Sequence, residues 1–126
     1  QLHGNENIDD YTIFNKDIIS TIHASENIQS QLSKINLNKH MHLIDATDNQ
    51  MRGGSAITFD WNILKDLDCE KLFIAGGLKP DNILDLLSRY TPKCVDVSSG
   101  IERKVGYKDH KIMSDFVETI RTYYEK

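Results

Sequence analysis

The chain is 126 residues long, room for about one ordinary domain with its own core. Its formal net charge is -4, with 15 basic and 19 acidic side chains interspersed, which excludes the chain-wide basic field of a nucleic-acid binder. No apolar run approaches the roughly 20 residues of a membrane span, and two cysteines, Cys69 and Cys94, make neither a disulfide framework nor a paired zinc spacing, which fits a reducing cytosol.

Gln1-Leu2-His3-Gly4 looks like the end of a strand. Positions 17–23 (DIISTIH) read as a strand, and positions 26–35 as a helix with Ser25 as N-cap. A second strand covers 41–46 (MHLIDA). A long loop over 47–58 follows, containing Gly53 and Gly54. A short helix starts near Asp60, with Trp61, Leu64 and Leu67 on one face and Phe59 helping to anchor it. Positions 71–75 (KLFIA) form a third strand, closed by Gly76 and Gly77. Pro80 suits a first helical turn, and Ile83, Leu84, Leu87 and Tyr90 carry helical spacing. Positions 94–97 (CVDV) are a fourth strand. The last helix shows Ile112, Phe116, Ile120 and Tyr123 or Tyr124 on one stripe.

Four β–α units in succession imply an α/β fold with a parallel sheet and helical crossovers, in one unit over 1–126. Two architectures fit: an open doubly wound sheet, or part of a (β/α)8 barrel, which needs about 250 residues when complete. In both, working groups gather at the carboxyl ends of the strands. Those ends hold Asp45, then Gly76-Gly77, then Asp96, Ser98, Ser99 and Gly100. Glycines let backbone N–H groups approach an anion closely, and the amides opening a following short helix add positive partial charge. Singly, each turn reads as an ordinary strand-to-helix connection. Together, at one end of successive strands, they favour a phosphate site.

Asp45 follows Leu43 and Ile44, so it is expected partly buried. Its carboxyl suits either a general acid or a loop cap made through backbone hydrogen bonds. Asp96 suits a neutral polar substrate group or the orientation of the serines. His3 is retained as a substrate-binding candidate, although a surface or structural role is the simpler reading of a lone histidine. His23, His40, His42 and His110 share no metal-ligand spacing. Cys69 reads as inert packing at the far end of the sheet. Cys94, two residues before Asp96, is expected on the same face but buried, which disfavours a thiolate.

QLHG, LIDAT at 43–47, GGSAITFDW at 53–61, IAGGLKPDN at 74–82, VDVSSGIE at 95–102 and GYKD at 106–109 occur in this order. Together they resemble the C-terminal half of the phosphoribosylanthranilate isomerase family of (β/α)8 barrels. The resemblance covers essentially the whole chain and implies strands five to eight plus the end of strand four. It implies a cofactor-free Amadori rearrangement of N-(5-phosphoribosyl)anthranilate in tryptophan biosynthesis. Asp45 then matches the general acid. Gly76, Gly77, Ser99 and Gly100 match the phosphate-binding segments. Asp96 and Ser98 fall in the substrate site, and the loop with Gly53 and Gly54 matches a mobile cover. Ala56 and Ile57 stand where the family usually has a glycine and a basic residue, and Tyr107 is bulkier than usual. The family's base, a cysteine in a Lys-x-Cys-Gly strand end, has no counterpart here, nor does its anthranilate-binding arginine. The chain alone is therefore expected to be inactive, and to need an N-terminal half-barrel or to self-associate. A phosphate-binding module without catalysis, or a purely structural association domain, is the alternative.

Overall fold

The computed structural model describes residues 1–4, 6–24, 27–33, 40–45 and 60–125. The Ser25 cap, both ends of the first expected helix, Ala46 and the 47–58 loop with Gly53, Gly54, Ala56 and Ile57 lie outside these residues, as does Phe59.

Four strands form one parallel sheet in sequence order: β1 (Ile19–His23), β2 (Met41–Asp45), β3 (Leu72–Ile74) and β4 (Cys94–Val95). β1 starts two residues into its expected run, β3 spans the middle three of its five residues, and β4 covers the first two of its four. Ahead of them, Leu2 bridges Ser20 in parallel. Its N–H donates to Ile19 at 2.8 Å, and its carbonyl accepts from Thr21 at 2.8 Å. The opening residues thus pair as a strand end does.

Register and the two-residue pleat sort the side chains into two faces. Ile22, Ile44, Ile74 and Val95 lie side by side across the sheet and pack under the helices. The helical layer consists of α1 (Ile28–Leu32), α2 (Ile83–Arg89) and α3 (His110–Tyr124). Ile28 and Leu32 are buried from α1, Ile83, Leu86 and Leu87 from α2, and Phe116 from α3. Each such aliphatic contributes about 1.5–3 kcal/mol by leaving water. The alternate row, Thr21, Leu43, Phe73 and Cys94, faces the other way.

Several expectations shift in detail. Leu84 is 46% exposed, and Leu86 takes its place in the buried stripe, because positions 83, 86, 87 and 90 share a helix face that 84 leaves. Pro80 sits in the turn before α2 rather than inside it. Trp61 and Leu64 are buried as expected, but on a 3-10 turn, Trp61–Leu64, capped by the Asp60 carboxylate. On α3, Tyr123 rather than Tyr124 turns inward, and its hydroxyl donates to the Leu87 carbonyl at 2.8 Å. Asp109 caps α3 by accepting from the Lys111 and Ile112 amides at 2.9 and 3.1 Å. Elements not foreseen include a 3-10 turn over Ile8–Phe14, another over Cys69–Lys71 and an antiparallel hairpin of β5 (Glu102–Lys104) and β6 (Tyr107–Lys108), turned by Gly106 at φ 78°.

Candidate active site

The ladder runs one residue past β3 and β4. The Ala75 amide donates to Ile44 at 2.8 Å and the Asp96 amide to Ile74 at 2.9 Å. Asp45, Ala75 and Asp96 therefore stand in successive register at the carboxyl ends, on the face turned away from the helices. Both carboxylates are half-buried. Ala75 between them carries only a methyl group, which leaves room for a third party.

Beyond Ala75 the chain turns through Gly76 at φ 87° and Gly77 at φ 64°. Two consecutive left-handed residues strain any side chain with a Cβ, so this turn demands glycine. Asn82 fixes the far side. Its Nδ2 donates to the Gly77 carbonyl at 2.9 Å while its Oδ1 accepts the Lys79 amide at 2.9 Å. Gly100, on the neighbouring turn, is required for a different reason. A Cβ there would lie 1.7 Å from the Leu78 carbonyl oxygen, so the two turns touch through bare backbone. Among the described residues, the amides of Gly76, Gly77, Leu78, Ser99 and Gly100 donate to no protein acceptor. Such groups are satisfied by water or by a ligand. The helical piece after β4 is a single 3-10 turn, Ser99–Ile101, instead of a helix. The expected dipole contribution falls away, because three residues align few peptide dipoles.

These groups surround one cavity of about 580 Å³, within the usual range for small-ligand sites. His3, Asp45, Gly76, Gly77, Asp96, Ser98, Ser99 and Gly100 all line it. Gly53 and Gly54 lie outside the described residues. His3 reaches the cavity edge from the opening segment. The Gln1 amide nitrogen can only donate, so His3 Nε2 accepts from it at 2.9 Å. His3 Nδ1 then carries the proton shared with Thr21 Oγ1 at 3.2 Å.

Lys108 was missed. It projects from the hairpin, a feature with no periodic signal in so short a stretch, and it lines the same cavity. Its Nζ donates to the Ser98 carbonyl at 2.8 Å, to Ser98 Oγ at 3.3 Å and to Glu102 Oε1 at 2.8 Å. The Lys108 ammonium, and after it the Gly106 amide at 3.1 Å, hold the Glu102 carboxyl below its ordinary value.

Cys94 corrects an expectation. It shares the face of Asp96, but it is exposed, because β4 is the last strand of the sheet and nothing described covers it. Cys69 is buried as expected. Loss of hydration, then the neighbouring Asp68 carboxylate, pushes its thiol pKa up. Among the described residues, no group of three His, Cys, Asp or Glu side chains is placed to hold a metal ion, and no helix is long and apolar enough to cross a membrane.

A family model described as N-(5'-phosphoribosyl)anthranilate (PRA) isomerase matches residues 1–119. An N-(5'-phosphoribosyl)anthranilate isomerase of Legionella pneumophila (strain Corby) is 39% identical over 121 residues, covering 95% of this chain and 58% of the relative. One from Oceanobacillus iheyensis is 40% identical over 125 residues, covering 96% of this chain and 59% of the relative. The crystal structure of phosphoribosyl anthranilate isomerase from Thermotoga maritima aligns with a TM-score of 0.77 at 28% identity, covering 97% of this chain and 60% of that one. A phosphoribosyl anthranilate isomerase in complex with reduced 1-(o-carboxyphenylamino)-1-deoxyribulose 5-phosphate aligns at 0.71 and 28% identity, covering 97% and 58%. The chain thus spans about three fifths of the length of the relatives it matches.

Proposed function

Because the chain belongs to the N-(5'-phosphoribosyl)anthranilate isomerase family, we propose that it supplies the phosphate site and the general acid of an Amadori rearrangement of N-(5-phosphoribosyl)anthranilate. One observation carries this reading. Two carboxylates and two glycine-bearing turns with undonated amides meet in a single cavity at the carboxyl ends of parallel strands. A phosphate bound there accepts from the Gly76, Gly77, Ser99 and Gly100 amides, each bond to a charged group contributing roughly 1.5–3 kcal/mol.

Asp45 then protonates the ribose ring oxygen. The C1–O bond breaks as the anthranilate nitrogen forms C1=N. A base removes the C2 proton, the electrons close C1=C2 and neutralise the nitrogen, and the enolamine becomes the ketone as C1 takes up a proton and the C2 hydroxyl gives one up. C2 is oxidised as C1 is reduced, so the electrons balance within the substrate. Asp96 and Ser98 face the sugar or its aromatic amine, with His3 at the rim. The base comes from polypeptide outside these residues. In this reading the sheet is the C-terminal half of a (β/α)8 barrel, completed by an N-terminal half or by association with a second copy. Free Cys69 and Cys94 suit a reducing cytosol.

Titration of D-ribose 5-phosphate into the 15N-labelled chain tests the site. The amide signals of Gly76, Gly77, Ser99 and Gly100 move together on binding. Saturable shifts at other residues with none at these four exclude it, and binding without any turnover in a completed barrel favours the non-catalytic module.

A further inference from the structure

A cup made of amides works only if the peptide planes are turned the right way, and glycine-bearing turns have no intrinsic reason to hold them so. The peptide unit is planar, and no cis bond occurs among the described residues. In a trans peptide the C=O and the N–H that follows it point in opposite directions. Whatever grips the carbonyl of one residue therefore aims the amide of the next.

Two side chains grip such carbonyls. Asn82 Nδ2 holds the Gly77 oxygen at 2.9 Å, which turns the Leu78 N–H away from Asn82. Asn82 does not line the cavity, and Leu78 does. Lys108 Nζ holds the Ser98 oxygen at 2.8 Å; Lys108 and Ser99 both line the cavity, so this bond fixes the plane of the Ser98–Ser99 peptide and with it the direction of the Ser99 N–H. Each gripping group is itself anchored. Asn82 Oδ1 accepts the Lys79 amide, and Lys108 is pinned by Glu102 Oε1 at 2.8 Å, whose other oxygen accepts the Gly106 amide. Neither aimed amide has an acceptor among the described residues. The two turns abut where Gly100 meets the Leu78 carbonyl, so the walls share one position.

We propose that Asn82 and Lys108 are paired positioning residues that each orient one wall of the anion cup by holding a carbonyl, Gly77 on one side and Ser98 on the other. The inference rests on the phosphate-site reading above. The Lys108 charge is spent on Glu102, and its task is to hold the Ser98 peptide. The hairpin of β5 and β6 thereby becomes part of the site.

The test uses the full 126-residue chain, with ribose 5-phosphate and inorganic phosphate as probes. Unchanged protein must first bind with shifts at the cup amides; failure there sinks the phosphate reading itself and not this inference alone. Given binding, Lys108→Met weakens it about tenfold, the loss of one charge-assisted hydrogen bond, and abolishes the Ser99 response while Leu78 still responds. Asn82→Ala does the reverse. Asn82→Asp keeps the acceptor for Lys79 but not the donor for Gly77, so it loses the Leu78 response with the turn intact. Lys108→Arg restores the Ser99 response. The proposal is overturned if either Lys108→Met or Asn82→Asp leaves the amide response of its own wall intact, whether or not affinity falls. For Lys108, weaker binding with an unchanged Ser99 signal assigns it plain charge attraction instead.

Discussion

At the residue scale, two glycine requirements of different origin decide the site. Gly76 and Gly77 are needed for their left-handed backbone, and Gly100 for want of space beside the Leu78 oxygen. Gly100→Ala pushes the two turns apart. It is expected to cost about 1–3 kcal/mol of stability, as overpacking does, and to weaken ribose 5-phosphate binding about tenfold or more. Chemical denaturation and calorimetry check both; normal binding by the variant refutes the shared wall. The cysteines provide a second contrast. Exposed Cys94 is expected to react with a disulfide reagent in the folded chain. Cys69, buried with its thiol pKa raised, reacts only on unfolding. Equal rates would contradict the burial. The placement of Asp45, Asp96 and both glycine turns around one cavity at one end of the sheet was legible from sequence, because each ends an apolar run and a strand end in a parallel sheet is a place with a known orientation. Lys108 and Asn82 were not, because their roles lie in which carbonyl they reach, and neither periodicity nor composition encodes that.

At the scale of elements, the hairpin is the part the sequence hid. Its strands are three and two residues long, below the length at which alternation can be read. The link between Glu102 and Lys108 makes it titratable. A carboxyl held below its ordinary value stabilises the fold above its unfolded pKa, and that contribution is lost as pH falls through the depressed folded value. Replacing Lys108 by Met is therefore expected to raise the Glu102 titration midpoint, followed through its side-chain carbonyl signal; an unchanged midpoint denies the link. The sheet itself was legible, since the rows Ile22, Ile44, Ile74 and Val95 are the apolar runs seen in one dimension. Ile74 is fully buried under the helices. Ile74→Ala is expected to cost about 2–5 kcal/mol in urea unfolding. A cost below 1 kcal/mol, the mark of a site that relaxes freely, would place the core elsewhere.

At the scale of the whole molecule, Thr21, Leu43, Phe73 and Cys94 form the row on the sheet face turned away from the helices, with Leu43 buried and Cys94 exposed, and among the described residues β4 ends the sheet with an open edge. An open edge of unpaired backbone groups promotes association. We propose that the chain is dimeric or larger at micromolar concentration unless a complementary half-barrel is supplied; a monodisperse monomer in the ultracentrifuge would count against this. The decisive measurement follows phosphoribosylanthranilate fluorescence in a barrel completed with an N-terminal half of this family. Turnover should appear only with both parts present. Asp45→Asn should lower it by about two to four orders of magnitude, as loss of a general acid does, with ribose 5-phosphate affinity unchanged. Full turnover with Asn at position 45 would contradict the account.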